Sequence, residues 1–188
     1  MPERTIRLAA ACLAALLASG TANAACRSGP PPGTYSANDN EGITLDISPI
    51  TRNPLFGAIG NAVAEATQGV TNLRQVVNMT QCPIAIRKQD GWTVERKDLG
   101  PGQTLDTNFW VPWADDAKTY GDHHMVISVD GRDVFWLWQD NHVIRFRTAA
   151  GYVANGQKAP GVANGGGDRS LVVALGANNK PVFAIANR

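Results

Sequence analysis

The sequence predicts a mostly β protein, an antiparallel β-sandwich or barrel with one short N-terminal helix. Three observations carry this expectation. From Thr71 onward, short runs of alternating apolar and polar residues recur. Turn signals punctuate them, among them Asp90-Gly91, Leu99-Gly100-Pro101-Gly102 and Asp130-Gly131. A single stretch, residues 55–67, has helical spacing instead. Many short strands with regular turns suit a sandwich or barrel. No internal repeat of fixed period interrupts the pattern.

The chain opens on an export signal. Glu3, Arg4 and Arg7 give a charged start, residues 8–18 are an unbroken apolar run, and Ala22-Asn23-Ala24 supplies small residues for cleavage. The apolar run is shorter than the roughly twenty residues that span a bilayer. Residues 1–24 are therefore expected to be removed, leaving a secreted or periplasmic protein with no transmembrane anchor. The 17 Lys+Arg and 16 Asp+Glu of the whole chain become 15 of each once Arg4, Arg7 and Glu3 leave. Balanced charge argues against nucleic acid, whose binders carry an excess of cations, and against a polybasic membrane-surface binder.

Residues 25–42 read as a tether, with Pro30, Pro31 and Pro32 favouring an extended polyproline conformation. A single domain is expected over 43–188. It starts with a short strand, Ile43, Leu45 and Ile47 alternating with polar residues up to Pro49. In the expected helix, Asn53 can cap, Pro54 suits the first turn, and Leu55, Ile59, Val63 and Ala66 share a face. Gly57 and Gly60 weaken it. Strands are then expected around Val76-Val77, Ile84-Ala85-Ile86 and Trp92 to Arg96, with a last hairpin over 171–175 and 182–186 after a Gly-rich connection over 151–168. Cys12 lies in the signal, so Cys26 and Cys82 remain, and an even pair in an oxidising compartment suggests a disulfide. The rival reading acylates Cys26, but Asn23 stands where a lipoprotein signal wants Leu.

The segment 123–147 carries most of the functional information. Two-residue turns at Asp130-Gly131 and Asp140-Asn141 would oppose Met125 to Trp136, His123 to Trp138, Trp138 to Val143 and Trp136 to Arg145. One face then holds Val126, Phe135, Leu137, Ile144 and Phe146, a plain core face. The other holds Met125, Ile127, Val134, Trp136, Trp138, Val143, Arg145 and Arg147. This second face reads either as a second packed layer with snorkelling arginines or as an aromatic and basic platform for a glycan or anionic ligand. Trp136, Trp138, Arg145, Arg147 and His123 are its candidate ligand-binding residues.

The same register brings His123, His124 and His142 to one rim, with His124 and His142 on the core-side face and Asp115, Asp116, Asp122 and Asp140 nearby. His124, His142 and Asp122 are the candidate catalytic residues for acid–base chemistry. Two strand spacings put His124 and His142 about 10 Å apart, wide for two imidazoles each about 2 Å from a zinc. No metal or other cofactor is expected. Trp110-Val111-Pro112-Trp113-Ala114-Asp115-Asp116 places an aromatic pair beside two carboxylates in an apparent loop. No Gly-x-Ser-x-Gly or His-Glu-x-x-His motif occurs, and the Gly165-Gly166-Gly167 run precedes a strand, unlike a phosphate-binding loop.

Three functional classes follow. The first is an exported module that binds a small-molecule, glycan or protein ligand. The second is a small extracytoplasmic enzyme at the histidine rim, and the third is a membrane-active secreted protein using the 55–67 helix. That helix, about 20 Å long, would not cross a core of about 30 Å, and its lack of Lys and Arg argues against surface binding. The exported protein should begin at Ala25 and carry a Cys26–Cys82 bridge. Intact mass spectrometry without reductant checks both; acylated Cys26 or two free thiols would overturn the expectation.

Overall fold

Alternating apolar residues pair into two stacked sheets because each strand buries only one side. The computed structural model describes residues 45–54 and 69–188. The expected signal peptide, the tether with Cys26 and the expected 55–67 helix lie outside them. The described chain is mostly β, with a four-stranded and a six-stranded sheet packed as a sandwich that does not close into a barrel.

In chain order the elements are α1 (Ser48–Thr51), β1 (Thr71–Asn78), β2 (Ile84–Asp90), β3 (Thr93–Leu99), β4 (Thr104–Trp110), α2 (Ala117–Asp122), β5 (His123–Val129), β6 (Arg132–Asp140), β7 (Val143–Arg147), β8 (Gln157–Lys158), β9 (Gly167–Leu175) and β10 (Pro181–Asn187). The smaller sheet runs β10-β9-β1-β4 and the larger β3-β2-β5-β6-β7-β8. All neighbouring strands are antiparallel except β1 and β9, whose parallel pairing is permitted by the long connection through the larger sheet. Leu45 and Ile47 do not form the expected strand. They lead into α1, whose Pro49 sits in the first turn, and Ile50 is buried.

The core joins Leu73, Val76, Phe109, Leu171, Val173, Phe183 and Ile185 of the smaller sheet to Ile84, Ile86, Met125, Ile127, Phe135, Leu137, Ile144 and Phe146 of the larger. Phe183 meets Phe135 at 4.8 Å and Phe146 at 5.1 Å between ring centroids, locking the two layers together.

Two departures from the expected register matter. Asp130 and Gly131 form the expected turn, both with positive φ (50° and 75°). Beyond it a bulge intervenes, so Ser128 pairs with Asp133 but Ile127 pairs with Phe135. The extra residue, Val134, moves β5 by one position against β6. Met125 and Ile127 therefore join the core face with Phe135, Val134 is buried in the same cluster, and Val126 turns to the Trp136 side. The second turn is Asn141 and His142, not Asp140-Asn141: Asp140 pairs with Val143, Trp138 with Arg145 and Trp136 with Arg147. Asn141 takes the positive φ, 53°, that its short amide tolerates. Gly91 does the same before Trp92, so Asp90 stays in β2 opposite Thr93.

Gln139 ends the inward row Phe135, Leu137, Gln139, and it is fully buried. Its Oε1 accepts from Thr71 Oγ1 at 2.6 Å, and its Nε2 donates to the carbonyls of Gly69 (2.9 Å) and Asn141 (3.1 Å). Its backbone donates to Pro112 and accepts from Ala114. One residue thus ties β6 to the start of β1 and to the segment after β4. Gln139→Leu removes three hydrogen bonds of a buried amide and should cost about 2–4 kcal/mol. Urea unfolding of the full chain measures this; a loss below about 0.5 kcal/mol, the level of ordinary surface changes, would refute the assignment.

Candidate binding site

Antiparallel geometry puts the end of β2, β4 and β6 and the start of β1, β3, β5 and β7 at one end of the sandwich. The large apolar side chains left exposed among the described residues are Val70, Trp92, Val94, Trp110 and Trp113. Every one lies at this end. Trp92 occupies the β2–β3 turn and is wholly exposed, while Trp110 and Trp113 are 38% and 42% exposed. Exposed apolar groups scattered singly need no explanation, but their confinement to one rim does.

The rim is polar between the rings. Trp110 Nε1 donates to Asp90 Oδ2 at 3.1 Å, and His123 Nδ1 donates to Asp90 Oδ1 at 2.7 Å. Asp90 therefore fixes both the indole edge and the imidazole tautomer. Gly91 N–H donates to the Asp122 carbonyl, tying the Trp92 turn to α2. Asp116 caps α2 by accepting from Thr119 N–H, which holds its carboxyl below the usual range. Trp113 meets His142 edge-on at 6.4 Å.

Of the expected platform, Trp138 is covered, while Trp136, Arg145 and Arg147 are half-buried. Trp138 is fully buried with Ala114, Tyr120, Trp136 and Tyr152. Gly156 lies so close that an added Cβ would stand 2.5 Å from the Trp138 ring. The arginines hold this cover: Arg145 Nη1 donates to the Gly156 carbonyl and Arg147 Nη1 to that of Gly151. Arg145 also pairs with Asp140 at 3.4 Å. Tyr152 Oη donates to the Asp115 carbonyl at 2.6 Å, closing the loop over the cluster. Burial pushes the Tyr120 hydroxyl up to about 12, with Arg147 and the Gly151 backbone opposing.

The candidate catalytic residues have different surroundings. The β5 shift turns His124 to the Trp138 side, where it stacks on Tyr120 at 5.0 Å and donates from Nδ1 to the Tyr120 carbonyl. This corrects the expected core-side position. His142 is an exposed turn residue beside Trp113, and the Asp122 side chain is exposed. Among the described residues no three His, Cys, Asp or Glu side chains are grouped to hold a metal ion, and no helix is long and apolar enough to cross a membrane.

Sequence reasoning missed Lys88, Asp90 and the exposed turn position of Trp92. Lys88 continues the inward row Ile84, Ile86 on β2, and a lysine in phase with core residues was the available signal. No family model, curated protein or solved structure matches the chain.

Burial holds the His124 imidazole below its ordinary 6.5, aided by Arg87 and opposed by the Tyr120 carbonyl, Asp122 and Asp133. The folded state thus favours neutral His124. That stability is complete above 6.5 and is lost as pH falls through the folded value. The Tm of the wild type should therefore fall more on acidification below 6.5 than that of His124→Phe, which keeps the stack; parallel Tm curves would refute this.

Proposed function

We propose that the chain is an exported binding module that takes a neutral glycan at the tryptophan-bearing end of the sandwich. The observation that carries this reading is the confinement of the exposed apolar residues, three of them tryptophans, to one carboxylate- and imidazole-bearing rim. A sugar ring has an apolar C–H face that stacks on indole and an edge of hydroxyls that hydrogen-bond to carboxylate and imidazole. The Asp90 carboxylate on the Trp110 edge, with Asp115 and Asp116 following Trp113 in the chain, disfavours an anionic ligand, for which like charge would be repulsive. The ligand therefore sits at Trp92, Trp110 and Trp113, and the Trp136, Trp138, Arg145 and Arg147 cluster supports the loop beside it.

Export rests on the N-terminal charged, apolar and small-residue pattern. The Cys26–Cys82 bridge is part of the same proposal. Cys82 is buried in a turn where Asn78 Nδ2 donates to its carbonyl at 2.8 Å and its own N–H donates to Thr80 Oγ1. A disulfide there would fasten the N-terminal tether to the end opposite the tryptophans.

Calorimetry of the full chain with cellohexaose, xylohexaose, chitohexaose and mannohexaose tests the reading. At least one should bind, and Trp110→Ala or Trp113→Ala should weaken it about tenfold or more. Trp136→Ala should leave it unchanged. Binding only to polygalacturonate or to phosphatidylcholine vesicles, with none of the neutral hexasaccharides, would overturn the proposal.

A further inference from the structure

Lys88 is 0% exposed although its neighbours on the inner face of β2, Ile84 and Ile86, are plain core residues. Its Nζ lies 3.2 Å from the centroid of the Trp110 ring and 5.6 Å from that of Phe109. It also pairs with Glu95 Oε1 at 2.8 Å across the β2–β3 ladder, yet makes no well-aligned hydrogen bond among the described residues. Taking an ammonium out of water is costly, and a partly exposed carboxylate repays it poorly. A methionine would fill the same space without that penalty. What the cation adds, besides its pairing with Glu95, is electrostatic attraction to the indole face.

The indole is held a second time at its polar edge, where Nε1 donates to Asp90, itself held by His123. With its inner face on Lys88 and its edge on Asp90, Trp110 turns its remaining surface outward. We propose that Trp110 is the principal stacking ring of the site and that Lys88 is a positioning residue that holds it face-out and biases it toward neutral sugar and against cationic groups. This rests on the glycan reading above. A ring fixed beforehand loses little rotamer freedom on binding, which is worth about two- to tenfold in affinity. The ammonium also draws π-electron density to the inner face. The outer face then attracts a quaternary ammonium less, whereas stacking of a sugar depends mainly on contact area.

The test uses the full chain with Lys88→Met, Lys88→Arg and Trp110→Ala. The first readout is the indole ¹H–¹⁵N signal of Trp110, assigned by its loss in Trp110→Ala, and its order parameter without any ligand. In folded Lys88→Met the signal should shift and the order parameter fall, and Lys88→Arg should restore both. Affinity for whichever hexasaccharide the wild type binds should drop about two- to tenfold in Lys88→Met. Tetramethylammonium should perturb the Trp110 signal more in Lys88→Met than in the wild type. Should Lys88→Met not fold, Lys88→Gln, which also removes the charge, should loosen the same indole.

An unchanged Trp110 order parameter in folded Lys88→Met, or in Lys88→Gln if that is the variant available, overturns the positioning role. Equal tetramethylammonium perturbation overturns the selectivity. Failure of every hexasaccharide on the wild type overturns the glycan reading, while the order parameter still decides what Lys88 does.

Discussion

Two stacked sheets share no backbone hydrogen bonds, so something must fix how their ends meet. At the tryptophan end that constraint is the Gln139 amide. It is buried near the end of β6, an inner strand of one sheet, and bonded to Thr71 and Gly69 at and just before the start of β1, an inner strand of the other. A buried amide left unpaired is costly, so its partners are specified together. Thr71 Oγ1 in turn accepts from Gly166 N–H, and Thr71 O accepts from Val111 N–H. Where β9 begins and where the chain leaves β4 therefore both depend on the same contact. Trp110 and Trp113 flank that departure, so their placement is inherited from an interaction inside the core.

The single inserted residue at Val134 decides which chemistry shares a face. Without it, strict alternation would set His124 on the core side and the Trp136–Trp138 face apart from it. With it, β5 slips one position, and a one-residue slip exchanges every side chain between faces. Met125 and Ile127 enter the core, and His124 stacks on Tyr120 above Trp138. The basic and aromatic residues of that face then work on one another, with arginines gripping loop carbonyls and tyrosines covering the indole.

Much of this was legible in the sequence. The Asp130-Gly131 turn, the inward pattern Phe135, Leu137, Ile144, Phe146 and the final hairpin follow from local periodicity and turn chemistry, and they stand. The bulge was not legible, because Asp133-Val134-Phe135 reads as well with alternation as without it. The parallel β1–β9 pairing was also hidden, since it joins segments that nothing local connects. At the site, the histidine rim was visible as an end of the sheet. The true exposed set was split among a turn, a strand end and a loop, and only the topology unites Trp92, Trp110 and Trp113.

The exposed ring of Trp110 stands over a buried polar group. The backbone of Gln139 bridges to that of Trp113, while Lys88 lies against the ring of Trp110 and Asp90 accepts from its indole N–H. A protein stabilised by its core alone would gain from replacing Lys88 with an aliphatic side chain and from turning the indoles inward. Here the buried cation sits against an aromatic residue that faces water, and the strand end that carries the buried amide is bridged to Trp113. Rigid support beneath an exposed ring is the arrangement that keeps a stacking surface flat before a ligand arrives. The opposite end, by contrast, is closed by the Asn78, Thr80 and Cys82 hydrogen bonds and exposes no large apolar side chain among the described residues. The asymmetry between the two ends, not the composition of either sheet face, is what gives the sandwich a direction.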